Sequence, residues 1–337
     1  MSLSYRTRQR LRSFGKIALI VLIISVITLF CAFLWLRRFV VYTDEGVRLV
    51  FSHHKLPPAQ QPVAPTQGGS VSIIYDDDPY REGLTALNGY YLDPQDLMED
   101  PAAVRRYLEA LPAGTPVMVD LKGYRGYVYY PSRVGLTTSG SYDMAQMQSF
   151  LDWLTRSDLY VIGRISTLRD FDFAYHDNSV GLKTSGGGLY ADRGSYGLGY
   201  WLDPTSEKVQ SYLIELIREL RNLGIDEVVL QNFTFPDTDE LVFEGDRSEA
   251  LTRTAEKIIS ACGTENFVIS FSSPDPGYNT PDGCRLYLED VPAAAAQSAW
   301  EQVLLEDKRS NLVFLAPNAD TRYQIENGIL KLLNILN

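Results

Sequence analysis

The chain has 337 residues, 45% of them hydrophobic, and carries 31 basic against 42 acidic residues, a formal net charge of −11. A chain of that sign repels polyphosphates, which excludes nucleic acid as the expected partner. With 3 cysteines and 3 histidines in so long a chain, neither a disulfide-built scaffold nor a histidine-rich metal centre is expected.

Residues 1–16 form a basic tail holding Arg6, Arg8, Arg10, Arg12 and Lys16. Residues 17–36 are apolar and uncharged, and about 20 residues is the length that crosses a bilayer core. Only Arg37 and Arg38 follow closely, so the positive-inside bias places the N-terminus in the cytoplasm and the remainder outside. A cleaved signal peptide is the alternative. Its apolar region would be unusually long, and no Ala-x-Ala-like site follows. Phe30 also stands before Cys31, where a lipoprotein signal wants a small residue. No acid precedes Asp44, so the part beyond the tail holds 26 basic and all 42 acidic residues, a net of −16. The expectation is a single-pass cell-membrane protein with an extracytoplasmic C-terminal domain.

Residues 37–54 read as a juxtamembrane β hairpin around Asp44-Glu45-Gly46. Residues 55–70 carry Pro57, Pro58, Pro62, Pro65 and Gly68-Gly69 and read as a linker. Residues 71–337 are then one large domain, and a parallel barrel of alternating strands and helices needs about 250 residues. The pattern places strands over Ala86–Leu92, Pro116–Leu121, Leu159–Ile165, Glu227–Leu230, Phe267–Phe271, Arg285–Leu288 and Leu312–Leu315. Helices are expected over Asp96–Leu111, Asp143–Arg156, Ser206–Leu223, Arg247–Ala261 and Ala293–Leu305, with a last one from about Thr321. This alternation predicts an α/β fold, a TIM-type (β/α) barrel behind one N-terminal transmembrane helix. Two features make it irregular. Ser273 to Gly283 leaves no room for a crossover helix, and the eighth strand is either Ser70–Tyr75 or missing, which would leave the barrel incomplete.

Chemistry in such barrels sits at the C-terminal strand ends. The segment Gly224–Pro236, GIDEVVLQNFTFP, puts Gln231 and Asn232 at such an end. A glutamine amide is neither a nucleophilic carboxylate nor a proton donor. Acids expected at strand ends are Asp120, Asp170, Asp172, Asp275, Glu289 and Asp290. Glycoside hydrolysis uses two carboxyl groups, about 5 Å apart for retention or 6.5–9.5 Å for inversion. Asp120 is either a base or a buried ion-pair member orienting Lys122. Arg164 inside the third strand needs a partner, and Asp120 on the neighbouring strand is the preferred one, as a brace or as a substrate clamp. Glu289 and Asp290 are candidate proton donors or an ordinary approach to a helix. Asp226 and Glu227 open their strand and read as structural.

The long loop Leu168–Pro204 holds Phe171, Phe173, Tyr175, Tyr190, Tyr196, Tyr200 and Trp201 among glycines. Sugar stacking and a self-packed loop core both account for it. Trp201 is expected to pack, with Tyr196, Tyr200 and, from the second βα loop, Tyr124 as ligand contacts. Cys262 and Cys284 are expected near the N-terminal face, either bridged or as two thiols. No cofactor motif appears. The acidic run Tyr75–Asp78 reads as a solvated turn before a calcium site.

The run Val117-Met-Val-Asp-Leu-Lys122 with Gly126-Tyr-Val-Tyr-Tyr-Pro-Ser132 behind it resembles the second strand of a bacterial "putative glycosyl hydrolase" domain family related to the amylase-type barrels. Leu159–Asp170 resembles its third strand, Trp201-Leu-Asp-Pro204 its pre-helix element and Gly224-Ile-Asp-Glu227 its fourth strand. The family's fourth strand ends F-D-Y-x-R-F-P. Here Gln231 stands for the Asp and Thr234 for the Arg, while Gly123 and Tyr124 replace acids after the second-strand lysine. Asp120, Lys122, Arg164 and Asp170 match. The resemblance implies a glycan-directed protein whose hydrolytic chemistry, with Asp120 and Glu289 or Asp290, is weakened by Gln231. A non-catalytic glycan-binding form and a partner-docking ectodomain are the alternatives. Lys122, Tyr124, Arg164, Asp170, Tyr196, Tyr200, Gln231 and Asn232 are the implied substrate contacts.

Overall fold

A computed structural model of the chain describes residues 40–43, 46–49, 87–92, 94–135, 137–138, 143–194, 197–264, 266–303, 311–317, 320–324 and 328–333. The chain divides into two units, Met1–Ile73 and Ile74–Asn337. In the first, Val40–Thr43 pairs antiparallel with Gly46–Leu49, Thr43 opposite Gly46. The apolar segment 17–36, the linker 55–70, the strand expected at Ser70–Tyr75 and the acidic run Tyr75–Asp78 all lie outside the described residues. Among the described residues no helix is long and apolar enough to cross a membrane.

The second unit is a closed barrel of eight parallel strands. They are β1 (Leu87–Leu92), β2 (Pro116–Lys122), β3 (Tyr160–Ser166), β4 (Glu227–Gln231), β5 (Val268–Ser273), β6 (Leu286–Leu288), β7 (Leu312–Ala316) and β8 (Gly328–Leu333). Each pairs with the next, and β8 pairs with β1 over six residues, from Gly328 opposite Leu87 to Leu333 opposite Leu92. The seven strands expected from sequence are present. The expected C-terminal helix is not: Thr321–Tyr323 makes one 3-10 turn, and Gly328–Leu333 is the eighth strand. Its run GILKLL carries an apolar spacing that suits either element, and pairing on both edges decides it. The barrel is therefore complete.

Helices cover the outside. They are α1 (Pro94–Glu99), α2 (Pro101–Leu108), α3 (Met144–Leu154), α4 (Phe171–His176), α5 (Glu207–Leu223), α6 (Arg247–Cys262) and α7 (Ala296–Gln302). The single helix expected over Asp96–Leu111 is broken because Pro101 cannot continue α1, and Asp100 instead caps α2 through Ala103 N–H. α5 repeats buried residues at three- and four-residue spacing (Val209, Tyr212, Leu213, Leu216, Ile217, Leu220). Gly224, at φ 94°, ends it in the left-handed conformation. From α5, Glu219 accepts hydrogen bonds from Tyr130 Oη at 2.9 Å and Arg133 N–H at 2.6 Å, which ties the loop after β2 to the helix layer.

No helix joins β5 to β6, as the short Ser273–Gly283 segment requires. A cleft of about 770 Å³ follows on that flank, between α6, Phe233–Phe235 and the 277–282 loop. Cys262 and Cys284 are both buried, and no disulfide joins them. Burial raises the Cys262 thiol above its usual range despite Arg218 and Arg221 nearby.

Candidate functional site

Strands send every second side chain inward. Three of them set up the interior with three rows: Tyr160, Ile162 and Arg164 on β3; Glu227, Val229 and Gln231 on β4; Arg285, Tyr287 and Glu289 along β6. The lower row is a sealed polar cluster. Glu227 pairs with Arg285 and accepts from Tyr160 Oη at 2.9 Å and Tyr287 Oη at 2.8 Å. Glu227 and Arg285 are 0% exposed. Above it lies an apolar layer with Met118, Ile162, Val229, Val313 and Leu330.

The upper row opens at the C-terminal face. Arg164 grips Asp120 with two parallel contacts, Nε to Oδ1 at 2.5 Å and Nη2 to Oδ2 at 2.9 Å. The brace expected between these strands is present. Arg164 Nη1 lies 3.7 Å from Glu289 Oε2, and that oxygen accepts Gln231 Nε2–H at 2.7 Å. The side chains of Arg164, Asp120 and Glu289 are 14%, 21% and 15% exposed, so they reach solvent without being washed by it. Burial alone would push the Arg164 guanidinium down, but Asp120 and then Glu289 and Tyr91 hold it above its ordinary value. Tyr91 on β1 was not legible as a site neighbour; its inward position, two beyond Gly89, is the signal that points there. Tyr129, half-buried near Asp120, is pushed up to about 12, first by burial and then by the Asp120 and Tyr124 charges.

One atom in this group is left over. Glu289 Oε1 is buried and has no hydrogen-bond partner among the described residues. Buried acceptors are rarely orphaned. The two non-glycine residues with positive φ among those described, Asn232 and Asp290, both at 55°, directly follow Gln231 and Glu289. Left-handed backbone outside glycine stores strain and clusters at functional sites. Asn232 is held by Nδ2–H donating to Ser166 Oγ at 3.0 Å, and Gln231 C=O accepts from Thr167 N–H at 2.9 Å and Thr167 Oγ1 at 2.7 Å. Asp290 is exposed.

Lys122 does not partner Asp120. A register shift in β2 between Asp120 and Lys122 re-aims the lysine, as a bulge does. Its Nζ meets Asp170 Oδ2 at 2.8 Å and donates to Ser166 C=O at 2.6 Å, with side chains 0% and 1% exposed. Asp170 Oδ1 accepts Phe173 N–H at 2.9 Å and so caps α4. Gly126 (φ 88°) lies against that oxygen, where a Cβ would collide with it. The pair matched to the family's polar residues is therefore enclosed beneath the rim, out of reach of a ligand in this conformation.

Around the rim, Arg169 is buried against Asp192 at 2.7 Å and stacks over the Tyr124 ring at 4.5 Å. Trp201 is buried and donates Nε1–H to Asp192 Oδ2 at 3.0 Å, which is packing, as expected. Tyr200 stacks on Phe171, ring centroids 4.9 Å apart. Tyr196 lies outside the described residues. Among those described, no three His, Cys, Asp or Glu side chains cluster as metal ligands.

Asp120 has both oxygens engaged by Arg164, and Glu289 Oε2 accepts from Gln231. Of these four carboxylate oxygens, Glu289 Oε1 is the one without a hydrogen-bond partner among the described residues. Arg164 Nη1 and Glu289 thus set a donor and an acceptor side by side at the mouth.

Several solved structures share features of this chain. A hypothetical protein from Ruminiclostridium thermocellum is 21% identical, over 54% of this chain and 96% of that one, with a TM-score of 0.45. An alpha-galactosidase from Thermus thermophilus, in complex with p-nitrophenyl alpha-D-galactopyranoside, is 12% identical over 56% of this chain at a TM-score of 0.43. A cycloalternan-degrading enzyme from Trueperella pyogenes in complex with isomaltose is 12% identical over 77% of this chain at a TM-score of 0.48. The chain spans only 38% of the galactosidase and 44% of the cycloalternan-degrading enzyme. No curated protein matches it in sequence. Residues 100–264, from the cap of α2 to the end of α6, match the model of the "putative glycosyl hydrolase domain" family.

Proposed function

We propose that the barrel mouth binds a neutral glycan without hydrolysing it, in a protein anchored to the cell membrane by residues 17–36 with its barrel outside the cytoplasm. The observation that carries the binding reading is the unpartnered Glu289 Oε1 beside Arg164 Nη1. A vicinal pair of sugar hydroxyls would donate to the first and accept from the second. Gln231 in place of the family's expected Asp supports the non-hydrolytic part: its amide N–H occupies the other Glu289 oxygen, and it offers no carboxylate to attack an anomeric carbon. The net charge of −11 favours a neutral ligand over an acidic one.

The same orphaned oxygen favours a second reading. If Glu289 Oε1 carries a proton to a glycosidic oxygen, residual hydrolysis follows, with Asp120 released from Arg164 as base. The two readings separate when the full chain and its Gln231→Asp variant are incubated with neutral oligosaccharides. Binding is read by calorimetry and released sugars by mass spectrometry. Binding without release by the unmodified chain is expected, and release would establish the hydrolytic reading. Release only by Gln231→Asp would mean that one substitution separates this mouth from a working hydrolase.

A further inference from the structure

The long loop after β3 builds a second feature at the same face. Phe171 is sandwiched between Tyr200, with centroids 4.9 Å apart and planes at 8°, and Tyr175, at 5.6 Å and 11°. The outermost ring, Tyr175, is 63% exposed. The ladder therefore ends in solvent.

The ladder is also held before any ligand arrives. Phe171 N–H and Asp172 N–H donate to the Tyr124 and Arg125 carbonyls of the loop after β2, at 3.3 and 3.1 Å. The buried Lys122–Asp170 pair fixes the cap of α4, and Asp170 N–H donates to Tyr200 C=O at 2.9 Å. His176 meets Tyr175 edge-on, at 5.6 Å and 88°, and its own Nδ1 lies 2.8 Å from Asp172 C=O. A ring positioned in this way loses little freedom on binding. A flat, exposed phenol face backed by parallel rings suits the apolar C–H face of a pyranose.

We propose that Tyr175, backed by Phe171 and Tyr200, is a stacking platform for a pyranose ring, and that the ligand is therefore an oligosaccharide extending outward from the mouth. This rests on the glycan-binding reading above. It also assigns the enclosed Lys122–Asp170 pair a positioning role, through α4 rather than by touching ligand.

The test compares disaccharides with longer cello-, malto- and chito-oligosaccharides, titrated into the detergent-solubilised full chain. For the series that binds, the longer members should bind tighter. Tyr175→Ala should weaken those members about fivefold to tenfold, the scale of one aromatic contact of on the order of 1 kcal/mol. It should leave the disaccharide within about twofold, and Tyr175→Phe, which keeps the face, should match the unmodified chain throughout. Unchanged binding of long oligosaccharides by Tyr175→Ala would overturn the platform and leave the mouth reading standing. Equal loss for short and long ligands would also overturn it, since the ring would then serve the fold or the mouth. No binding of any glycan by the unmodified chain would overturn both.

Discussion

The barrel holds the same chemistry at both ends, and only one end is closed. Below, Glu227 and Arg285 meet with no exposure, and both glutamate oxygens are further occupied by Tyr160 and Tyr287. Above, Asp120 and Arg164 meet with similar directness but remain partly exposed, and the neighbouring Glu289 keeps one oxygen unanswered. A carboxylate beside a guanidinium thus says nothing by itself about function. What separates a brace from a site is whether every donor and acceptor is already spoken for within the protein.

Breaking the closed end should have the largest effect. Glu227→Ala leaves Arg285 charged and buried without a partner, and such losses run to about 3–5 kcal/mol. Urea denaturation should show the midpoint collapse or no folded baseline. The double variant Glu227→Leu with Arg285→Met should be far milder, because no charge is stranded. Lys122→Met belongs to the same class despite its match to the family's polar residues. It strands Asp170 and should destabilise by roughly 3 kcal/mol, with long-oligosaccharide binding lost as α4 loosens.

Arg164→Met sharpens the contrast from the open side. Water reaches Asp120, so the stability change should stay near about 1 kcal/mol. Glycan affinity should fall roughly tenfold or more, the scale of a hydrogen bond to a charged group. A large loss of stability with intact binding would reverse the roles assigned to the two ends.

The pH dependence is smaller and has a definite sign. Tyr129 is held neutral to about 12, and burial raises Tyr130, Tyr160, Tyr212, Tyr278 and Tyr287 as well. An unfolded tyrosine ionises near 10, so the unfolded state sheds protons first and stability falls as pH rises from there. Phenolate absorbance should therefore appear together with loss of the fold, rather than before it. The least effect is expected from Asp226. Burial raises its carboxyl, opposed by the Val161 N–H, with Glu227 adding to the rise. A raised acid weakens the fold as pH climbs from the ordinary aspartate value through the raised one. Asp226→Asn should flatten that decline, changing stability at neutral pH by less than about 0.5 kcal/mol.

Most of the barrel was legible because strand and helix periods differ and the strands are short apolar runs bounded by turns. The eighth strand was not, since Ile329, Leu330, Leu332 and Leu333 fit a helix face equally well until both neighbouring edges claim them. The Asp120–Arg164 brace was legible, because a charge inside a strand demands a partner on the next one. The aim of Lys122 was not legible, because a one-residue irregularity in β2 has no marker in the sequence and changes where every later side chain points. The closed lower cluster was half visible: Glu227 reads as structural from its place at a strand's start, but nothing local announces Arg285 or the two tyrosines that complete it.

The central claim is that the mouth binds a neutral glycan and leaves it whole. Calorimetric titration of the full chain with neutral oligosaccharides, followed by mass spectrometry of the same samples after prolonged incubation, tests it most directly. Saturable binding that is lost in Arg164→Met, with every oligosaccharide recovered at its starting mass, is the expected result. Shortened products from the unmodified chain that disappear in Glu289→Gln would contradict it and make this mouth an active site.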